Sequence, residues 1–434
     1  MTTPAAATVP APQELSGNEQ AARRWSQALM DNFGTPPVEL VSGSGAVVTD
    51  VDGRQYLDLL GGIAVNSLGH AHPAVVRAVS EQVATLGHVS NFFTHPTVID
   101  LAERLLDISG VRGNGRVIFG NSGAEANEAA FKMARRTGRP RIIAADGAFH
   151  GRTMGALAVT GQPAKRAPFE PMPPGVEFVP YGDIPALENA VDGTVAALFL
   201  EPIMGEAGVI PAPDGYLAAA RRITAEHGTL LIIDEVQTGI GRTGSWLAHQ
   251  KTGIVPDVIT LAKGLGGGMP IGAAIGIGDA AHLLQPGQHG STFAGNPVCA
   301  AAALAVLATI ESDGLLDHVD ALGKHIATGV EDLGHPLIGK VRGAGLLLGI
   351  VLTENIGPAT ALAARDAGFI INAPAPDVLR LAPPLILTQQ QADSFVSALP
   401  GILDAAAPRN SAARNSAALN SAARNSAGTN SEKG

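Results

Sequence analysis

The chain has 434 residues, 46% of them apolar and 16% charged, with a net charge of −10 and a pI near 5.6. That length exceeds what one hydrophobic core usually fills, so two or three lobes are expected. The composition excludes general disorder, and the acidic balance gives no electrostatic reason to bind nucleic acid or an anionic membrane.

The N-terminus, MTTPAAATVPAPQE (residues 1–14), has neither the basic start nor the apolar core of a secretory signal and is expected to be disordered. VSGSGAVVTDVDGRQYLDL (41–59) is strand-rich and is assigned to a small lobe. Strands are then predicted at RVIF (116–119), RIIAA (141–145), VAALFLEP (195–202), LLIIDEV (230–236), VITLAK (258–263) and AAIGIG (273–278). Helices are predicted between them: Ala124–Arg136 behind a Ser122 cap, Leu217–His227 ending at Gly228, and one beginning near Asn296 with Pro297 in its first turn. Continuous apolar strands alternating with helices predict an α/β fold with a mainly parallel sheet covered on both faces. The apolar run Val298–Ile310 is shorter than the roughly 18 residues of a membrane span, so no membrane partner is expected. Its one cysteine, Cys299, excludes an intrachain disulfide, points to a reducing cytoplasm, and reads as a small buried residue. From about residue 315 the pattern changes to helix, one short strand (VRGAGLLLGIVL, 341–352), helix and RLAPPLIL (380–387), a smaller α+β lobe. The tail, RNSAARNSAALNSAARNSAGTNSEKG (409–434), repeats N-S-A-A and is expected to be disordered.

In open α/β sheets, ligands sit at the carboxyl ends of strands. LLIID ends in Asp234, VITLAK ends in Lys263 directly before GLGGG, and RVIF runs through Gly120-Asn121-Ser122-Gly123 into a helix. Free N–H groups at that helix start, with Gly123 allowing close approach, suit a phosphate, although an ordinary capped helix satisfies the same residues. Asp234 would be desolvated and needs a cationic partner. The partner is either a cofactor's pyridinium nitrogen or Lys263 itself, expected on the next strand but one. A phosphate site, a carboxylate and an imine-forming lysine together describe pyridoxal 5′-phosphate, and the glycines after Lys263 leave space for a planar group. A buried Asp234–Lys263 ion pair is the plainer alternative. No P-loop or dinucleotide-binding fingerprint accompanies these residues, and the glycines at 343–349 read as a tight strand. No metal site is expected: His70-Ala71-His72 reads as a turn before Pro73. His150 and His289 read as packing or hydrogen-bonding residues, and Glu201 as a support for the site.

Seven segments stand together in order: NSGAEANEAA (121–130), FHGRTMGA (149–156), EPIMGEAGV (201–209), LLIIDEVQTGIGRTG (230–244), LAKGLGGGMPIGA (261–273), HGSTFAGNP (289–297) and RLAPPLIL. In sequence and spacing they resemble the fold-type-I, class-III aminotransferases over roughly residues 20–400. Within that family the chain is most similar to the N-acetylornithine aminotransferases of arginine biosynthesis, with GGIAVNSLGHAHP (61–73) and SNFFTHP (90–96) adding to the likeness. The resemblance implies a cytoplasmic, pyridoxal-phosphate-dependent homodimer with shared active sites. It implies a large domain (66–312) with a mainly parallel seven-stranded sheet, and a smaller α+β domain assembled from 15–65 and 313–407.

Residue by residue, it implies that Lys263 forms the imine and then carries the substrate proton. Asp234 keeps the pyridine nitrogen protonated, Gln237 bonds the phenolic oxygen, and Phe149 stacks on the ring. Ser122, Gly123 and Ala124 hold the phosphate, and Thr292 reaches the phosphate of the neighbouring subunit. Arg152, with Ser291, receives the α-carboxylate of N2-acetylornithine; Arg380 receives that of 2-oxoglutarate; Glu206 pairs with Arg380 until the dicarboxylate arrives. Ile63 stands where ornithine aminotransferases carry a tyrosine, which favours an acylated donor. Alternatives keep the reaction and change the donor to succinyldiaminopimelate, succinylornithine, 4-aminobutyrate or ornithine. A pyridoxal aminomutase or racemase is a further alternative.

Overall fold

The computed structural model describes residues 15–407, so both tails expected to be disordered, 1–14 and 408–434, lie outside the described residues. Seven strands form the central sheet in the order Gly115–Gly120, Gly272–Ile277, Val258–Leu261, Leu230–Asp234, Val195–Leu200, Arg141–Ala145 and Val176–Val179. Only Gly272–Ile277 runs against its neighbours; the other pairings are parallel.

The continuous apolar strands are explained by helices on both faces. Ile142, Ala144, Ala197, Phe199 and Ile232 share a core with Ala130, Phe131 and Ala134 of the helix Gly123–Arg136. The intervening residues Ile143, Leu198, Leu200, Leu231 and Ile233 pack with Tyr216, Leu217, Ala220 and Ile223 of the helix Tyr216–His227. Period-two alternation thus sends successive side chains to opposite cores, both apolar. The helix starts match the capping chemistry: Ser122 accepts from the Glu125 N–H, and Asn296 caps Pro297–Ser312. Gly228, at φ 61°, ends Tyr216–His227 in the left-handed conformation.

Two smaller sheets lie outside the large one. The first joins Leu40–Ser44, Val47–Asp50 and Gln55–Asp58 to Phe369–Ile370 from far along the chain, with Phe369 opposite Leu57. The second has the order Ile338–Ala344, Leu347–Leu352, Val378–Leu381, Asn372–Ala375. A two-stranded ribbon, Ile203–Met204 with Ile210–Pro211, projects from the end of Val195–Leu200.

Two expectations are corrected, and the seventh strand of the expected sheet is located. The run 341–352 is a hairpin rather than one strand, because Gly345 (φ 52°) turns the chain between two antiparallel partners. The edge strand Val176–Val179 is a seventh strand that the sequence reading did not single out; it is four residues long, carries Glu177 and is half exposed, so its pattern resembles a loop. The strands ending at Asp234 and leading to Lys263 are direct neighbours, with Asp234 opposite Thr260, rather than separated by another strand. Among the described residues, no single helix is long and apolar enough to cross a membrane.

Candidate active site

The carboxyl ends of the central strands open onto a cavity of about 400 Å³. Its walls include Ser122, Gly123, Ala124, Phe149, Arg152, Asp234, Gln237 and Lys263, together with His150, Glu201 and Met269. Eight of the twelve residues singled out from sequence therefore converge on one space.

At one end lies the turn into Gly123–Arg136. The Ser122 hydroxyl accepts from Glu125 N–H at 3.1 Å, and the Glu125 carboxylate folds back to accept from Asn121 N–H at 2.7 Å. The N–H groups of Gly123 and Ala124 have no partner among the described residues. They open a 14-residue helix, so orphan donors and the positive end of the dipole face the cavity together. The turn is packed closely from behind: a Cβ on Gly272 would meet the Ser122 carbonyl oxygen at 2.1 Å.

Asp234 is buried and fully engaged by donors. Its Oδ2 accepts from Asn127 Nδ2 and lies 2.7 Å from His150 Nδ1, and its Oδ1 accepts from Val236 N–H at 2.9 Å. Burial pushes this carboxyl up, but His150, Val236 and Asn127 outweigh it and hold Asp234 below the ordinary carboxylate range. Burial also works against the His150 cation, and the bond to Asp234 raises its pKa regardless. Asp234 is thus kept anionic by three donors, of which His150 also acts through its charge.

Lys263 makes no hydrogen bond or ion pair through Nζ among the described residues, which removes the Asp234–Lys263 ion pair as an explanation for either residue. Burial lowers its pKa, with Glu206 and Asp234 partly offsetting. Its backbone is left-handed, at φ 43°. Glu201, at the end of Val195–Leu200, accepts from Phe149 N–H at 2.9 Å and so fixes the backbone that carries the aromatic ring. Burial raises its pKa to about 7.

Arg380 lies in the middle of Val378–Leu381 and is fully buried, with Nε donating to Asn372 Oδ1 at 3.1 Å. Its Nη1 meets Glu206 Oε1 at 2.5 Å and Gln237 Oε1 at 3.3 Å. Glu206 sits on the turn of the two-stranded ribbon and is partly exposed. Burial would raise the Glu206 pKa, but Arg380 holds it below the usual value. Arg152 stands over the Phe149 ring, 5.6 Å from its centroid. Ser291 and Thr292 lie outside the cavity walls: Ser291 Oγ accepts from Asn121 Nδ2 at 3.0 Å, and Thr292 is exposed.

Asn127 was not anticipated. The available signal was an amide four residues after Gly123, which places it on the same helix face as the phosphate turn. The hydrogen-bonding reading of His150 holds, with Asp234 as its partner, and His70 pairs with Asp58 at 2.8 Å. No cluster of metal-ligating side chains occurs among the described residues.

This donor set fits the cofactor expected from sequence. The helix start offers unpaired N–H groups for a phosphate. Asp234 offers an anion for a protonated ring nitrogen, Phe149 and Val236 offer apolar wall, and Lys263 offers an unpaired amine.

A family model described as aminotransferase class-III matches residues 30–403. The chain belongs to the class-III aminotransferases. An acetylornithine aminotransferase of Mycolicibacterium smegmatis is 62% identical over 384 residues, covering 88% of this chain and 98% of the relative. One from Streptomyces coelicolor is 59% identical, covering 90% and 97%. Among solved structures, the ornithine aminotransferase of Toxoplasma gondii superposes on this class-III chain with a TM-score of 0.86 at 32% identity, covering 90% of this chain and 96% of that one. The acetylornithine aminotransferase of Elizabethkingia anophelis does so with a TM-score of 0.80 at 33% identity, covering 89% and 99%.

The raised Glu201 pKa has a measurable consequence. Unfolded, this carboxyl ionises near 4.5; folded, near 7. Between those values the unfolded state releases the proton first, so stability falls as pH rises and then levels off. Glu201→Gln keeps an acceptor for Phe149 N–H and cannot ionise. Its Tm relative to the unaltered protein should therefore rise from pH 4.5 to 7 in thermal melts. A pH-independent difference would contradict an uncharged Glu201.

Proposed function

We propose that this chain is a pyridoxal-phosphate-dependent N2-acetylornithine:2-oxoglutarate aminotransferase, converting N2-acetylornithine to N-acetylglutamate 5-semialdehyde and 2-oxoglutarate to glutamate. The observation that carries the reading is the placement of a hydrogen-bonded Asp234 at the end of one strand and an unpaired Lys263 just beyond the end of its neighbour, with the Arg380–Glu206 pair beside them.

Bound cofactor supplies an aldehyde and an electron-withdrawing ring that can spread the charge of a carbanion. Gly123 and Ala124 N–H hold its phosphate, and Asp234 holds the proton on its ring nitrogen, a task that its depressed pKa and three donors suit. Phe149 covers the ring face, and the Gln237 amide donates to the phenolic oxygen. Lys263 would hold the cofactor's aldehyde carbon through Nζ, and as a free amine would be the base that takes and returns a proton at the substrate's amine-bearing carbon. Burial lowers its pKa toward that use.

Substrate choice falls to the arginines. Arg152 receives the donor's α-carboxylate, leaving the δ-amine to reach Lys263, with Ser291 nearby. During this half Glu206 covers Arg380, so an α-amino acid finds no free guanidinium to orient its own amine. When 2-oxoglutarate enters, its carboxylate displaces Glu206 and takes the guanidinium as a two-pronged partner. The similarity to acetylornithine aminotransferases and the absence of a hydroxyl at Ile63 both favour an acylated donor.

A homodimer accords with the exposed side chains beside Thr292. Phe92 and Phe293 stand in solvent, and Asn91 ties their two segments together through a bond to the Ala294 carbonyl. A second copy would cover them and bring Thr292 to the neighbouring phosphate site. A cytoplasmic location accords with the single buried cysteine.

Incubating the enzyme with N2-acetylornithine and 2-oxoglutarate should release glutamate, and Lys263→Ala should abolish release while the protein remains folded by circular dichroism; retained turnover would overturn the assignment of Lys263. Glu206→Ala should leave Arg380 permanently open. Its preference for N2-acetylornithine over glutamate as donor, from kcat/KM for each, should fall by about tenfold or more, the size of one charged hydrogen bond. An unchanged ratio would show that Glu206 does not control access to Arg380.

A further inference from the structure

Lys263 occupies a left-handed backbone position, which any residue with a Cβ adopts only where its surroundings enforce it. On one side, the strand Val258–Leu261 is paired along both edges. On the other, the hydrogen bonds are local: Leu265 N–H to Ala262 O, Gly266 N–H to Lys263 O, and Met269 N–H to Gly266 O. Such bonds hold the shape of the loop without anchoring it to the rest of the protein. Among the described residues, one hydrogen bond reaches Lys263–Pro270 from another segment: Ser67 Oγ donates to the Gly264 carbonyl at 3.0 Å.

Ser67 is itself held firmly. It is buried, its N–H donates to Val65 O at 2.9 Å, and its carbonyl accepts from Leu385 N–H at 2.7 Å. The preceding residues Gly61, Gly62, Ile63 and Ala64 all have φ between 58° and 66°, a full left-handed turn that includes a β-branched residue. That turn directs the chain so that Val65 reaches the cavity wall and Ser67 reaches Gly264. The fit is close, since a Cβ on Gly264 would meet Ser67 Oγ at 2.5 Å while its other neighbours stand at 3.6 Å or more.

We propose that Ser67 is a positioning residue for Lys263: its hydroxyl pins the carbonyl of Gly264, the residue next to the lysine, and so sets where Nζ stands relative to Asp234 and Glu206. Through its own carbonyl, the same residue ties this loop to the segment that follows Arg380. The inference rests on the role assigned to Lys263 above.

The test uses full-length, cofactor-loaded enzyme and two readouts: steady-state kinetics, and the pH midpoint of the cofactor's visible absorbance. Ser67→Ala should lower kcat about tenfold, as expected for a sub-ångström misplacement, with KM for both substrates held within about twofold. It should also displace the pH midpoint, which mere loss of stability would not do. Gly264→Ala, which pushes on the hydroxyl from the other side, should produce the same displacement. The double variant should be no worse than Ser67→Ala, because the clashing oxygen is then gone. If Ser67→Ala does not fold, Gly264→Ala alone makes the comparison. A midpoint and kcat unchanged in whichever variant folds, or a lowered Tm with an unmoved spectrum, would overturn the proposal and leave the reading of Lys263 standing. Absence of the band in the unaltered enzyme would overturn both.

Discussion

Asp234 ends one strand, Lys263 stands just beyond the end of the neighbouring strand, and the two do not pair with each other. Everything else in the site depends on keeping them apart. A buried carboxylate is costly unless its oxygens are occupied, and Asn127, His150 and the Val236 N–H occupy them. The amine of Lys263 is thereby left without a protein partner, in a cavity that it shares with Phe149, Arg152, Glu201 and Gln237. An ion pair would have satisfied both residues more simply and removed both from chemistry. A stable pair has been given up for two groups that an incoming molecule can use.

The same logic recurs at Arg380. This buried guanidinium bonds to Asn372, to Gln237 and to Glu206. Glu206 is carried on a two-stranded ribbon rather than in the central sheet, and part of its side chain meets solvent. The proposed alternation of Arg380 between masked and free would call for a partner of this kind, charged enough to offset burial and reachable from solvent.

The sheet was legible in the sequence because its strands are buried on both faces and so read as uninterrupted apolar runs; six of seven were located in this way. Val176–Val179, at the edge and half exposed, lacks that signature. The hairpin at Gly345 was hidden because its turn is marked only by glycine and no polar run separates the two strands. In the site, residues at strand ends and helix starts could be found because those positions have a local grammar of apolar run, then polar residue, then glycine. Asn127 and Ser67 could not be found that way. Each acts on a partner about a hundred or two hundred residues distant in sequence, 107 for Asn127 and 197 for Ser67, and only the folded backbone brings them together. The exposed Thr292 hydroxyl and the charge of Arg152 likewise carry no mark of which ligand they serve; their roles rest on resemblance and stand as proposal.

The central claim is that Lys263 and Asp234 hold a cofactor which accepts the δ-amine of N2-acetylornithine. The absorbance spectrum of the purified, pyridoxal-phosphate-loaded protein tests it most directly, recorded before and after adding N2-acetylornithine with no keto acid present. The account predicts a visible band that bleaches with the donor and returns when 2-oxoglutarate is added. A band that N2-acetylornithine leaves unchanged would contradict the donor assignment, and no band at all would contradict the reading of Lys263.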